Sequence, residues 1–401
     1  MPVRLLLLAL GTFAVGTDTM VTAGILGPVA DDLGVSVTAA GQLVTVFALG
    51  YALLAPPLAA LTARWPRRRL LLTALTVFGV ANALSALAPS YEALLATRVL
   101  AAAGAALYTP TANAVATTLV APERRGRALA TVLGGMTVAT ALGVPLGTWV
   151  GRTDWRLTMW LVTVLSAAAL AGLALLLREL PVSAAAPGLR DRLAPLRDRR
   201  VLGAALTTLV FFLAFQSVYI YLATAVAPAT GGRAERLSLV LLVSGVASVA
   251  GSWLGGRLVD RVGVRRVLLV GSTVAAGAFA ALPWAGRSMA GALAYAVVTP
   301  LAGWAVSVAL PHRLASLDPG NAQLLISLNS SALYLGTAAG GGVGSAAIAL
   351  FGGRWFPLAA TVLTLVAAAT AWATTRGTGP GAAGVGAVAA PAAKRSRVAV
   401  R

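Results

Sequence analysis

Two ionisable side chains stand inside otherwise apolar stretches of this 401-residue chain, Asp18 in LLLLALGTFAVGTDTMVTAGILG and Arg98 in ATRVLAAAGAALY. Charged groups are costly in hydrocarbon, so their presence there points to function. A carboxylate in a low-dielectric setting holds its proton tightly and a neighbouring arginine loosens it, so moving Asp18 relative to Arg98 would switch a proton on and off. Other chemistry is poorly provided for. The chain has no cysteine, which removes disulfides, thiolate metal sites and cysteine nucleophiles. His312 is the one histidine, and it reads as a solvated loop residue rather than part of a metal centre or a Ser-His-Asp triad. No GxxxxGK[ST] phosphate loop occurs, so ATP is not the expected energy source and an enzyme is not expected.

The elements that hold Asp18 and Arg98 are set by composition. Hydrophobic residues make up 58% of the chain and charged residues 11%, against roughly 45–50% and 25% in soluble domains. Apolar runs near the 20 residues of a spanning helix begin at about Leu5, Ala39, Leu70, Ala93, Ala128, Leu157, Val201, Leu237, Val267, Met289, Ala322 and Phe356. These runs do not alternate apolar and polar residues, which excludes outer-membrane strands. The first run is long, shows no small-residue cleavage site and is followed by similar ones, so it reads as the first spanning helix rather than a secretory signal.

A net charge of +19 suggests nucleic acid until the arginines are mapped onto these spans. Arg64, Arg67, Arg68, Arg69, Arg124, Arg125, Arg127, Arg257, Arg261, Arg265 and Arg266 share one side with the 178–200 segment and the tail, while Arg152, Arg156, Arg233, Arg236, Arg287 and Arg354 lie opposite. Such sorting is that of a membrane protein and places both termini in the cytoplasm, with no nucleic-acid partner expected.

The only long polar interruption, RELPVSAAAPGLRDRLAPLRDRR at 178–200, divides the runs into an N-terminal six-helix bundle (1–177) and a C-terminal one (201–375). The small-residue tail from 376 to 401 is expected to be disordered. Shifting the chain by 197 residues places Leu61, Arg64, Arg68 and Arg69 on Leu258, Arg261, Arg265 and Arg266, Pro122 on Pro319, Gly143 on Gly340 and Gly147 on Gly344. This is an internal duplication, and parallel six-helix repeats put the binding site between the halves.

Several strings then acquire meaning. GGRLVDRVGVRR, with Gly256, Leu258, Asp260, Arg261, Gly263, Arg265 and Arg266, resembles the cytoplasmic loop signature of the major facilitator superfamily. Its glycines would permit a tight turn, and its carboxylate and arginines would lock helix ends together. The first-half loop AALTARWPRRR departs from it, with Ala63 where the signature has Asp and Pro66 where it has Gly; RWPRRR resembles the loop of actinobacterial chloramphenicol-efflux proteins. GVPLGTWVG, carrying Gly143, Pro145, Gly147 and Gly151, resembles the antiporter motif of the superfamily's exporters and is expected to form a packed but bendable contact between the halves. Gly336, Gly340 and Gly344 repeat the device in the eleventh span.

Asp18 falls roughly 20 Å from the cytoplasmic start of the first span and Arg98 roughly 8 Å in from the outer start of the fourth, depths that permit a direct pair. GTDTM around Asp18, and Arg98 with Gly104, also resemble segments that the superfamily's drug:proton antiporters use for coupling. In FFLAFQSVYIY, Phe211, Phe215, Gln216 and Tyr219 mix aromatic faces with an amide and suit an amphiphilic ligand. Asn82, Asn113, Asn329 and Tyr334 are weaker candidates for ligand contact.

The resemblance spans nearly the whole chain and implies the all-α major facilitator fold of about twelve transmembrane helices in a bacterial inner membrane. It also implies a functional monomer that exports small drug-like molecules by alternating access, with a proton gradient for energy and no cofactor. Sugar or nucleoside export, which would need a polar cavity, is the alternative within transport. A non-transporting membrane sensor is the alternative outside it, and that would not need the intramembrane Asp and Arg.

Overall fold

The protein is described by a computed structural model covering residues 3–121, 124–178, 194–318 and 321–375. Among the described residues twelve helices are long and apolar enough to cross a membrane, and there is no strand. They are α1 (Val3–Leu33), α2 (Val37–Leu61), α3 (Arg67–Ala86), α4 (Tyr91–Thr118), α5, α6 (Arg156–Leu176), α7 (Arg199–Tyr219), α8 (Ala234–Val262), α9 (Val264–Ala285), α10 (Met289–Leu317), α11 (Ala322–Trp355) and α12 (Pro357–Thr375). The α5 helix is composite: Arg125–Val138, a π-helical turn Ala139–Gly143, and Val144–Val150. Each helix starts within three residues of the apolar run that marked it in the sequence. The tail from 376, Pro122, Pro319 and most of the 178–200 segment lie outside the described residues. His312, expected in a loop, is instead an exposed residue near the end of α10, because that helix runs on to Leu317.

Packing follows the duplication. In the first half α1 lies on α5 and α6, α4 on α2 and α3, and α3 on α6; in the second α7 lies on α11 and α12, α10 on α8 and α9, and α9 on α12. The result is two six-helix bundles. The α4 and α10 helices start alike: the Ser90 hydroxyl accepts from the Ala93 amide at 3.3 Å, and the Ser288 hydroxyl from the Gly291 amide at 3.1 Å. Each serine satisfies an amide that the first turn leaves unpaired. The duplicated glycines also act alike. A methyl group on Gly143 or Gly147 would strike Thr17 or Val21 of α1, and one on Gly340 or Gly344 would strike the backbone of α7 near Leu213 and Ser217. These glycines therefore seat α5 on α1 and α11 on α7 within each bundle, while the same α5 segment also packs on α8 of the second half, the contact between the halves that the sequence pointed to.

The loop signature is realised only in part. The α8–α9 link is the single residue Gly263, at φ 84° and ψ 154°, a conformation that side chains with a Cβ resist. Gly256 lies inside α8 in open space rather than in the turn. Asp260, Arg261, Arg265 and Arg266 are all exposed, and Asp260 makes no ion pair among the described residues, so the expected charge lock is not formed. A one-residue link leaves these side chains pointing into solvent around the turn.

An arginine does hold the helix end in the first half. Arg68 donates through Nε to the Leu177 carbonyl at 2.6 Å and through Nη2 to the Ala174 carbonyl at 2.8 Å, capping α6. In the second half the buried Arg313 of α10 donates to the hydroxyls of Thr374 on α12 and Thr207 on α7. Thr374 stands 197 residues after Leu177, so both bundles tether their last helix at the same point of the repeat.

The two glycines of the signature separate cleanly by experiment. Gly263→Ala will destabilise the protein by about 1–3 kcal/mol through backbone strain, read as a lower unfolding temperature in detergent. Gly256→Ala will be neutral or stabilising by about 0.5–1 kcal/mol, as for an unhindered helix-interior glycine.

Candidate functional site

Asp18 and Arg98 meet. Arg98 Nη1 donates to Asp18 Oδ1 at 2.8 Å and Nη2 to Oδ2 at 3.0 Å, a two-pronged pair between α4 and α1 in the interior of the first bundle. Side-chain exposure is 2% for Arg98 and 0% for Asp18, so both charges are fully desolvated. On its other side the guanidinium lies over the Phe47 ring of α2, 4.8 Å from the centroid, a cation–π contact. Arg98 Nε has no partner. Asp18 falls at the midpoint of the 31-residue α1, deeper than the sequence suggested, because α1 continues past the apolar run to Leu33.

The neighbours of Asp18 along α1 connect the pair to the boundary between the bundles. Thr17 lies against Gly143, the last residue of the α5 π-turn. The other face of that turn meets α8 with no side chain between: a methyl on Gly245 would collide with the backbone of Thr140 and Ala141. The Ser238 hydroxyl of α8 donates to the Pro145 carbonyl of α5 at 2.8 Å, and Arg152 faces Glu235 at 3.4 Å. A second seam joins α2 to α11. There the Tyr221 hydroxyl donates to the Gly341 carbonyl at 3.0 Å and contacts the Thr38 carbonyl at 3.4 Å. Farther along, Tyr51 and Tyr334 stack with ring centroids 3.8 Å apart. These contacts run from mid-depth to the end remote from the arginine-rich loops.

Where the α5–α8 seam meets α7 and α10 there is a cavity of about 30 Å³, lined by Met20, Phe215, Gln216, Tyr219, Ser244 and Trp304 among others. No charged side chain lines it. The amide of Gln216, the hydroxyls of Tyr219 and Ser244 and the indole N–H of Trp304 bond no other protein group among the described residues. Aromatic walls with unpaired donors and acceptors are the composition of a small-molecule site. The volume admits about one water, whereas drug-sized ligands need roughly 300–1,000 Å³, so the bundles must part for a ligand to enter.

Of the residues singled out in the sequence, Phe215, Gln216 and Tyr219 line this cavity. Phe211, one turn away, is 2% exposed and packs in the core of the second bundle with Val267 and Val306. Asn329 accepts from the Thr208 hydroxyl at 2.8 Å and ties α11 to α7. Tyr334 belongs to the α2–α11 seam, Asn113 lies on α4, and Asn82 is fully buried in α3, donating to the Phe78 carbonyl at 3.0 Å. None of these five lines the cavity. Sequence reasoning missed Met20, Ser244 and Trp304; Trp304, an aromatic one turn from Pro300 in an otherwise small-residue span, was the available signal. Among the described residues no His, Cys, Asp and Glu cluster suited to a metal occurs.

Two bundles of membrane-length helices meeting along closed seams, with a lined but unexpanded cavity between them, have the architecture of a membrane transporter. The chain belongs to the Major Facilitator Superfamily, whose profile matches residues 8–315. It is 36% identical over 378 residues to the chloramphenicol resistance protein of Streptomyces lividans, covering 92% of this chain and 95% of that protein. Among solved structures it resembles an inward-facing, occupied bacterial homologue of the human lysosomal transporter Spinster, with TM-score 0.76 and 20% identity over 93% of this chain and 96% of that one. It also resembles the nucleoside transporter NupG, with TM-score 0.77 and 13% identity over 93% of this chain and 99% of that one. These structural likenesses bear on the fold alone.

Breaking the buried pair from one side strands a charge. Arg98→Met will destabilise the protein by about 3–5 kcal/mol, and Asp18→Asn added to it will restore most of the loss, measured as unfolding temperature of the three variants in the same detergent.

Proposed function

We propose that this transporter exports small, drug-like amphiphiles in exchange for protons, and that the desolvated Asp18–Arg98 pair is the coupling element. The observation that carries this reading is that both charges are buried inside the first bundle and are joined by packing to the seam at which the bundles must separate. Arg98 has a second partner in Phe47, so a proton arriving at Asp18 leaves the guanidinium held rather than stranded. The neutralised Asp18 releases its grip on α4. The adjustment passes through Thr17 and Gly143 to the π-turn of α5 and on to Gly245 of α8. A π-turn followed by Pro145 is the segment of α5 most able to change its hydrogen-bond pattern.

The direction of transport rests on GVPLGTWVG and on the Streptomyces lividans relative, whose name records chloramphenicol resistance. The uncharged cavity of Phe215, Gln216, Tyr219 and Trp304 suits a neutral amphiphile with an aromatic ring. A sugar would call for a denser set of polar groups than this lining offers. The sorting of arginines to one side supports a bacterial inner-membrane location with both termini in the cytoplasm. The protein then works as a monomer, needs no cofactor beyond the proton gradient, and is a carrier rather than an enzyme.

The experiment is drug susceptibility in an efflux-deficient bacterium, paired with a pH jump on proteoliposomes. Wild type will confer chloramphenicol resistance, and an outward-acid gradient will drive substrate movement. Asp18→Asn will insert normally but lose both. A variant that keeps gradient-driven transport would sink the coupling proposal. Trp304→Ala, which removes about 0.5–1.5 kcal/mol of aromatic contact, will weaken substrate affinity about two- to tenfold while leaving the pH dependence of the remaining transport unchanged.

A further inference from the structure

The membrane-facing side of α3 carries a groove that the transport reading does not use. Its volume is about 430 Å³, and it is lined by Arg68, Arg69, Leu72, Thr73, Thr76 and Val77, at the arginine-rich end of the first bundle. Arg68 is engaged with the end of α6. Arg69 is exposed and forms no ion pair among the described residues. Residues 69, 73, 76, 80 and 84 recur at the spacing of a single helix face, and their chemistry changes steadily with depth. Arg69 comes first, then the hydroxyls of Thr73 and Thr76, then Val80 and Leu84, which are 49% and 45% exposed.

Most of the chain's helical threonines bond back to a carbonyl three or four residues earlier, as Thr111 and Thr131 do; a minority, such as the buried Thr17 and Thr45, do not. The hydroxyls of Thr73 and Thr76 bond no protein group among the described residues. They are open polar groups on a surface that faces lipid, below an unpaired arginine. A polar partner for them comes from outside the protein, and a lipid is the one that also matches the charge above them and the apolar face below.

We propose that this face of α3 is a binding site for one anionic phospholipid of the surrounding bilayer. The headgroup phosphate lies on Arg69, within the field of Arg64 and Arg67. The glycerol esters accept from Thr73 and Thr76, and an acyl chain follows Val80 and Leu84. The rise from residue 69 to residue 76 is about 10 Å at 1.5 Å per residue, so charge and hydroxyls occupy the interfacial layer and the apolar residues the hydrocarbon. Charge complementarity selects an anionic headgroup. The duplication supplies a control. Shifted by 197 residues the face reads Arg266, Val270, Thr273, Gly277 and Ala281, in which the first hydroxyl is lost and the Thr273 hydroxyl bonds its own Leu269 carbonyl at 2.9 Å. The second bundle keeps the arginine without the ladder below it.

The test is native mass spectrometry of the full chain in detergent with added phosphatidylglycerol or phosphatidylcholine of matched acyl chains. Wild type will retain one phosphatidylglycerol in preference to phosphatidylcholine, and Arg69→Ala will lower that retention about fivefold, the effect of one arginine at an anionic surface. The near-isosteric double variant Thr73→Val with Thr76→Val, which keeps the charge and the fold, will also lower it, while Arg266→Ala will not. Equal retention of the two lipids by wild type overturns the proposal. So does undiminished retention in either α3 variant, or an equal loss in Arg266→Ala, which would reduce the effect to overall charge.

Discussion

A carboxylate and a guanidinium stripped of water in the middle of a membrane helix bundle constrain everything packed around them. The two partners are not equivalent: without Arg98 the Asp18 carboxylate is a buried charge with nothing to answer it, whereas without the Asp18 charge Arg98 keeps the Phe47 ring. The surrounding helices are built to keep the two in register. The α1 helix is seated on α5 by Gly143 and Gly147, and α4 is seated on α3 through Gly104, whose Cβ would collide with the backbone of Phe78. Phe47 closes the remaining side with the negative face of its ring. The pair thus fixes the relative height of α1 and α4, and through α1 the position of the π-turn on which the second bundle rests.

The boundary between the bundles has a different character. It holds few charges: Arg152 and Glu235, 40% and 61% exposed, form a surface pair of the kind that contributes little to stability. What holds it is backbone against backbone at Gly245, a hydroxyl on the Pro145 carbonyl, stacked tyrosines and the Tyr221 hydroxyl. Such contacts are numerous enough to close one end and individually weak enough to part. A buried charge pair within a bundle and mostly uncharged contacts between bundles are the arrangement that a movement of whole bundles would require.

Much of this was legible in the residues. Apolar run length marked every spanning helix because hydrocarbon admits almost no other backbone structure, so span and helix become the same question. Asp18 and Arg98 stood out because a charge in a run of leucines and alanines has no cheap explanation. Other features lay beyond sequence reasoning for identifiable reasons. Phe211 and Phe215 are one turn apart and chemically identical, yet one is core and the other lines the cavity. A helix face that is apolar all round carries no amphipathic signal to say which side meets a neighbour. Asp260 matched a loop signature, but whether it finds an arginine depends on helix ends whose spacing is a tertiary property. Helix lengths were underestimated at α1 and α10, where the chain continues in regular helix beyond the apolar stretch and carries His312 with it.

The tethering of α6 and α12 bears on how the two halves are aligned. Arg68 reaches Ala174 and Leu177 from α3, whereas Arg313 reaches Thr374 from α10, although Leu177 and Thr374 occupy equivalent places in the repeat. The counterpart of Arg68 is Arg265, still an arginine but exposed, and the counterpart of Arg313 is Ala116. Each six-helix unit pins its last helix at the same point of the repeat, and each does so with a different residue. The mechanical task is common to the two halves while the side chain that performs it is not. Aligning the halves by identity pairs Arg68 with an arginine that does not do this work and passes over the one that does.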